Sequence, residues 1–430
     1  MNTIKDNPKI TNAWAFYDWA NSVYALVITA AIFPVYWGNI THPNEAEKIL
    51  LWGLEPAAVF DFSLTFSFLV VLLLSPILSS IADTTGNKLT FMKGFCYLGS
   101  FSCMGLFFFK DTSTAWIGLI CSTLASIGYW GSMVFYNAYL PEIASKENQN
   151  KLSSRGFIFG YIGSISLLVI CLLLIMKVAS DDQKGLFTRI SFVLTGIWWM
   201  GFAQYSFVNL PINQQIKNNS HSLKNSFKEL LVVGRELSTN KTIKSYLLSF
   251  FFFSLGMQTI FLMATLFGQN EIHLDTSKLI LTILLIQFIA IFGAWFFVFI
   301  AKRIGNFLTL GVGVFIWIVV CFLGYTIDGN SPSAENEFYL IAAMVGLVMG
   351  GIQSLARSTY SKLLPHSNDL TIYFSFYDVL EKLALVVGLL IYGILIQYTG
   401  GMKTSALAMG ISFVVALILL LKLYFSSKKN

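Results

Sequence analysis

Charge is scarce in this sequence: Asp, Glu, Lys and Arg make up 12% of its 430 residues, against about 25% in an average soluble domain. A water-facing surface cannot be built from so few charges around a core this apolar. Histidine is scarcer still, with four in the whole chain. His42, His221, His273 and His366 fall in polar breaks and never cluster, and no His-Glu-x-x-His helix, Gly-Lys-Ser/Thr phosphate loop or Gly-x-Ser-x-Gly elbow occurs. These absences argue against a hydrolase, a metalloenzyme or an ATP-driven pump, and no cofactor is expected. The five cysteines, Cys96, Cys103, Cys121, Cys171 and Cys321, lie inside apolar runs without metal-ligand spacing and read as small packing residues.

What the chain has instead is long apolar runs. Residues 279–301 and 304–327 carry no charge over 23 and 24 positions. A helix needs about 20 such residues to cross ~30 Å of hydrocarbon at ~1.5 Å of rise each. Uncharged stretches between polar breaks predict twelve spans near 12–38, 56–82, 89–109, 114–138, 155–177, 187–211, 244–268, 277–301, 305–327, 338–363, 370–396 and 402–424. The expected class is an all-α membrane protein embedded in the lipid bilayer. A short polar start with Lys5 and Lys9 precedes an apolar segment that lacks a small-residue cleavage motif, so that segment is expected to remain as span 1. Trp14, Trp37, Trp52 and Trp116, near predicted boundaries, suit an interfacial aromatic belt.

Orientation follows from the basic residues, since Lys and Arg are retained in cytoplasmic loops. Placing both termini in the cytoplasm puts 20 of the 28 Lys and Arg there and 7 in outer loops. The net charge of +6 thus speaks of topology and not of nucleic acid. The longest polar stretch, 212–244, follows Pro211 and contains Lys217, Lys224, Lys228, Arg235, Lys241 and Lys244. It divides the chain into expected six-helix halves, 1–211 and 245–430. Residues 223–237 could form an amphipathic surface helix or a solvated linker. Helix 4 ends in Asn137-Ala-Tyr139-Leu-Pro141 and helix 10 in Ser358-Thr-Tyr360-Ser-Lys-Leu-Leu-Pro365, a faint echo between the halves. Parallel repeats of this kind mark several transporter folds, with the substrate site near the midplane.

Ionisable residues inside spans point to function, because each costs about 2.5–3.5 kcal/mol on insertion scales unless paired or wet. Asp18 stands six residues into predicted span 1, about 9 Å along it, and Tyr17, Asn21 and Tyr24 line a polar and aromatic stripe with it. The stripe can line a solute pathway, or it can only bind span 1 to a neighbour. Predicted span 11 carries Asp378, Glu381 and Lys382, an acid and a base at i, i+4 with one acid left over. A carboxylate held out of water takes up a proton more readily, as a proton-coupled carrier requires. The rival reading is a structural ion pair between spans 10 and 11 that also involves Arg357, which could alternatively snorkel outward. Glu142 and Arg155 are expected to pair at the exits of spans 4 and 5. Asp61 belongs to the outer end of span 2, and Tyr136, Asn137, Gln258, Gln287 and Gln353 are further polar residues inside spans.

The turn between spans 2 and 3 reads Ser79-Ser-Ile-Ala-Asp83-Thr-Thr-Gly86-Asn87-Lys88. It resembles the Gly-x-x-x-Asp-x-x-Gly-Arg-Lys motif of the major facilitator superfamily at Asp83, Gly86 and Lys88, and departs from it at Ser79 and Asn87. The turn in the second half, Lys302-Arg303-Ile-Gly305-Asn306, has Lys where the acid would stand, so the resemblance carries a gating role to the first half only. Further strings resemble the vacuole-effluxer branch of that superfamily. They are Trp14-Ala-Phe16-Tyr17-Asp18-Trp19-Ala-Asn21-Ser22, Phe135-Tyr136-Asn137-Ala-Tyr139-Leu-Pro141-Glu142 and Ser153-Ser154-Arg155-Gly156-Phe157 in the first half. Gly350-Gly351-Ile-Gln353-Ser354-Leu-Ala-Arg357 and Phe376-Tyr377-Asp378-Val-Leu-Glu381-Lys382 follow in the second.

The resemblance implies a major facilitator fold of two six-helix bundles working by alternating access, with spans 1, 4, 7 and 10 lining the pathway. That favours Asn137, Gln258 and Gln353 over Gln287. It further implies export of neutral amino acids; the missing enzyme signatures leave a secondary carrier and not an enzyme, the span 11 carboxylates suit proton coupling, and a monomer is expected. Short outer loops suit a bacterial inner membrane. A carrier of a drug, sugar or peptide, and a non-transporting scaffold or receptor, are the competing readings.

Overall fold

The computed structural model describes residues 4–41, 51–212, 223–365, 370–399 and 401–428. His42, His221, His366 and part of the linker lie outside the described residues.

Among the described residues, twelve helices are long and apolar enough to cross a membrane. They are Pro8–Thr41, Ala58–Thr85, Lys88–Phe108, Thr112–Ile143, Gln149–Val178, Lys184–Asn209, Lys241–Asn270, Lys278–Ile304, Asn306–Thr326, Ala334–Leu363, Leu370–Thr399 and Met402–Ser427, here spans 1 to 12. A further helix, Leu223–Thr239, precedes span 7 and is called the linker helix. Span starts are set by local chemistry. Asn7 Oδ1 accepts from the Lys9 amide at 2.9 Å ahead of Pro8, and Asp275 Oδ1 accepts from the Lys278 amide at 3.0 Å. Both satisfy amides that a helix leaves without an internal partner. Because span 1 begins at Pro8, Asp18 stands ten residues in, about 15 Å along the axis and deeper than the apolar run alone implies. Beyond the polar stripe, Tyr24–Ile32 of span 1 is wound as a π-helix.

The chain divides into two compact units. The first holds Met1–Ile143, Phe159–Leu230 and Asp369–Ser375; the second holds Ala144–Ile158, Leu231–Asn368 and Phe376–Asn430. The opening of span 5 thus belongs to the second unit and the opening of span 11 to the first.

Within each unit small residues let helices approach closely, as expected where lipid removes the hydrophobic drive for helix association. In the first, Gly128 of span 4 lies against the backbone of Gly99 on span 3. In the second, Gly346 and Gly350 of span 10 face the carbonyls of Ile286 and Ala290 on span 8, one helical turn apart on each. A Cβ at position 350 would overlap the Ala290 carbonyl oxygen. Gly350→Val is therefore expected to destabilise the protein by about 1–3 kcal/mol or more, the range for overpacking, read as a lowered melting temperature in detergent.

Of the tryptophans expected in an interfacial belt, Trp52 and Trp116 are exposed. Trp14 and Trp37 are buried instead. Their indole N–H groups find partners inside the protein, the Tyr136 carbonyl at 2.8 Å and the Pro56 carbonyl at 3.1 Å, which removes the reason to seek the membrane surface.

Candidate functional site

Among the described residues, polar groups gather inside the membrane-spanning helices of both units, with a set of turn contacts besides. In the first unit, Asp18 is 4% exposed and its carboxylate accepts from the Tyr136 hydroxyl on span 4 at 2.7 Å. Two aromatic rings of span 1 pack on Tyr136. Trp14 stacks on its ring at 4.4 Å and 10°, and the Tyr17 ring lies 5.2 Å away. Asn21, fully buried one turn after Tyr17, donates to the Met133 sulfur at 3.2 Å. Asn137 is buried beside Tyr136. The predicted stripe Tyr17–Asp18–Asn21 and the predicted pair Tyr136–Asn137 thus meet across spans 1 and 4. Removing the hydroxyl with Tyr136→Phe strips a buried carboxylate of a donor and is expected to cost about 1–3 kcal/mol, measured as a melting shift that Asp18→Asn reduces when combined with it.

In the second unit, Lys382 is 1% exposed and donates to Asp378 Oδ1 at 2.6 Å and Glu381 Oε2 at 3.4 Å. Gln258, on span 7, donates from Nε2 to Glu381 Oε1 at 3.0 Å. Asp378 Oδ2 is buried with no hydrogen-bond partner among the described residues. Two carboxylates therefore meet one ammonium. The i, i+4 pair expected from the sequence forms, and the partner of the second acid is an amide that sequence spacing does not connect to it. Asp378 and Lys382 are occluded, whereas Glu381 is only half-buried, so Glu381 is the member open to exchange. Gln353, half-buried on span 10, belongs to the same unit, and Gln287 is buried.

Arg357 neither snorkels nor pairs with the acids of span 11. It is 2% exposed, donates to Ser153 Oγ at 3.0 Å and to the Ser153 carbonyl at 2.9 Å, and lies 4.4 Å over the Phe157 ring. These contacts tie it to the opening of span 5, where Ser153 and Ser154 also donate to the carbonyls of Ser354 and Ala294. Asn150 and Asn306 exchange reciprocal amide hydrogen bonds at 2.7 and 3.1 Å, and Asn306 also donates to Thr359 at 2.8 Å. No spacing in the sequence announces this pair. Its one signal is the Gly305-Asn306 turn, where the motif's acid is absent.

The turn after span 2 is organised in the first unit. Gly86 closes span 2 with φ 69°, the left-handed conformation that favours glycine. Asp83 Oδ2 accepts from the Ile372 amide at 3.0 Å, at the opening of span 11. Lys88 is buried, pairs with Glu142 at 2.5 Å and sits 3.9 Å over the Tyr139 ring. Glu142 therefore takes Lys88, not Arg155, as its partner. Arg155 is exposed in the second unit, because span 5 turns its other face, with Ser153 and Ser154, inward. Gly86→Ala is expected to cost about 1–2 kcal/mol from the left-handed backbone alone, seen as a lower melting temperature.

Twelve spans among the described residues, intramembrane carboxylates held by polar partners and ordered turns between spans make a polytopic membrane protein with ionisable groups inside its helices. The fold agrees with solved transporters at low sequence identity. The proton:xylose symporter XylE superposes with a TM-score of 0.73 at 13% identity over 96% of this chain and 95% of that one. FucP, in the outward conformation, gives 0.70 at 13% over 97% and 99%. The chain belongs to the family described as "Vacuole effluxer Atg22 like", which matches residues 6–430. It is a major facilitator-type transporter and a non-enzymatic carrier.

Among its relatives is an uncharacterized MFS-type transporter of Bacillus subtilis, YxiO, 30% identical over 418 residues, which are 96% of this chain and 94% of that protein. Autophagy-related protein 22 of Vanderwaltozyma polyspora is 22% identical over 94% of this chain and 89% of its own length. The match to the Cryptococcus neoformans protein of that name covers 62% of this chain and 51% of that protein.

Proposed function

We propose that this chain is a proton-coupled secondary carrier that exports neutral amino acids across a bacterial inner membrane. Both termini face the cytoplasm and the working unit is the monomer. The observation that carries the reading is the Asp378–Glu381–Lys382–Gln258 group, where two carboxylates share one ammonium inside membrane-spanning helices. An uncompensated carboxylate there is costly, so the group favours a state in which a cation neutralises it. A proton or a substrate ammonium can serve, and half-buried Glu381 is the member either would reach. Asp18, fixed by Tyr136, supplies a second anionic point in the pathway, and Asn21, Asn137 and Gln353 supply uncharged polar contacts. Asp83, Gly86, Lys88, Glu142, Arg155 and Arg357 are assigned to gating.

Neutral amino acids fit a pathway with both acidic and basic groups, and membership in the effluxer family supports that choice. The test is counterflow in proteoliposomes preloaded with mixed amino acids. Wild type is expected to exchange neutral amino acids specifically, and Asp18→Asn to lose that exchange while keeping its melting temperature. Absence of exchange in well-folded wild type would discard the amino-acid assignment.

A further inference from the structure

We propose that the linker helix is a docking surface for anionic phospholipid, gripping the headgroup layer beside the start of span 7. The inference does not depend on which solute the carrier moves.

The helix ends one residue before a membrane span. Asn240 alone separates Thr239 from Lys241, and its side chain caps span 7 by accepting from the Thr242 and Ile243 amides at 3.1 and 3.2 Å. The C-terminal turns of the linker helix therefore adjoin the first turn of a membrane-spanning helix. One face of the helix is spent on the protein: Val233 and Leu237 are each 5% exposed, and Gly234 lies against the Phe376 ring.

The opposite face is the unusual one. Lys228, Leu231, Val232 and Arg235 fall at i, i+3, i+4 and i+7, one continuous stripe, and all four are exposed. Leu231 and Val232 are 74% and 65% exposed, between two basic residues. Exposed Lys241 and Lys244 continue the positive field into span 7. Residues 223–244 hold five basic residues against two acidic ones, Glu229 and Glu236.

A purely solvated face would have no use for two adjacent exposed aliphatic side chains. Their combination with bases matches a helix lying in the membrane interface, with aliphatic groups in the acyl boundary and cationic groups on the phosphates. Basic clusters adjoining a span are attracted to anionic leaflets by the same charge complementarity. The one-residue connection to a membrane-spanning helix favours lipid over a protein partner as the occupant of the stripe.

The experiment uses the full chain in nanodiscs of phosphatidylcholine alone or phosphatidylcholine mixed with phosphatidylglycerol, with amide hydrogen exchange of the linker helix as readout. In wild type, exchange is expected to be about tenfold slower or more in the anionic discs, and high salt should erase part of the difference. Lys228→Gln with Arg235→Gln should remove the dependence on phosphatidylglycerol, and Leu231→Ser with Val232→Ser should raise exchange in both discs. All four positions are exposed, so melting temperatures should hold. Equal exchange in the two discs for wild type, or unchanged lipid dependence in the Lys228→Gln, Arg235→Gln variant, would overturn the proposal. The latter outcome would transfer the surface to a protein partner.

Discussion

Lys382→Met is expected to destabilise the protein by about 3–5 kcal/mol, the cost of leaving a buried charge without its partner. The ammonium is the donor to both Asp378 and Glu381, so its loss strands the buried Asp378 carboxylate and leaves Glu381 with the Gln258 amide. The check is thermal unfolding in detergent together with the yield of monodisperse protein. Adding Asp378→Leu to Lys382→Met should recover most of the loss, because apolar replacement of both members of a buried pair is often neutral or better. A single variant as stable as wild type would show that water reaches the pair and that it is not held as the structure has it.

The second large effect concerns function. Glu381→Gln keeps an acceptor oxygen for the Gln258 amide and leaves the Asp378–Lys382 pair intact, so the fold should stand. What it removes is the surplus carboxylate. If that group carries the coupling proton, wild type accumulates solute in the more acidic compartment of a proteoliposome preparation, and Glu381→Gln loses this accumulation by about tenfold or more, equivalent to ~1.4 kcal/mol. Exchange without a gradient should persist, because the neutral side chain mimics the protonated state. The pH sign follows: accumulation in wild type rises as the receiving side is acidified, and the variant is flat. A variant that still responds to the gradient would move the proton to another group, Asp18 first.

The membrane class, the number of spans and the acid and base of span 11 are legible in the sequence itself. Each depends on spacing along one helix: run length against bilayer thickness, and i, i+4 geometry for Asp378 and Lys382. The tryptophans are less legible, since Trp14 and Trp37 share composition and position with boundary residues and differ only in having carbonyl partners inside the protein. Arg357 is obscure for a similar reason. Its distance from a span end suits snorkelling, whereas hydrogen bonds to the opening of span 5, some two hundred residues earlier in the chain, hold it inside the protein.

Local sequence therefore determined what each helix is, because the cost of an unsatisfied backbone in lipid leaves a helix as the one form a twenty-residue apolar run can take here. Which helix faces which was decided by tertiary structure alone. Lipid-facing and protein-facing sides are equally apolar, so hydropathy is silent on contacts such as Tyr136 with Asp18, Lys88 with Glu142 and Gln258 with Glu381. Those contacts depend on close approach at small residues and on polar groups finding partners across chain separations of 54 to 123 residues.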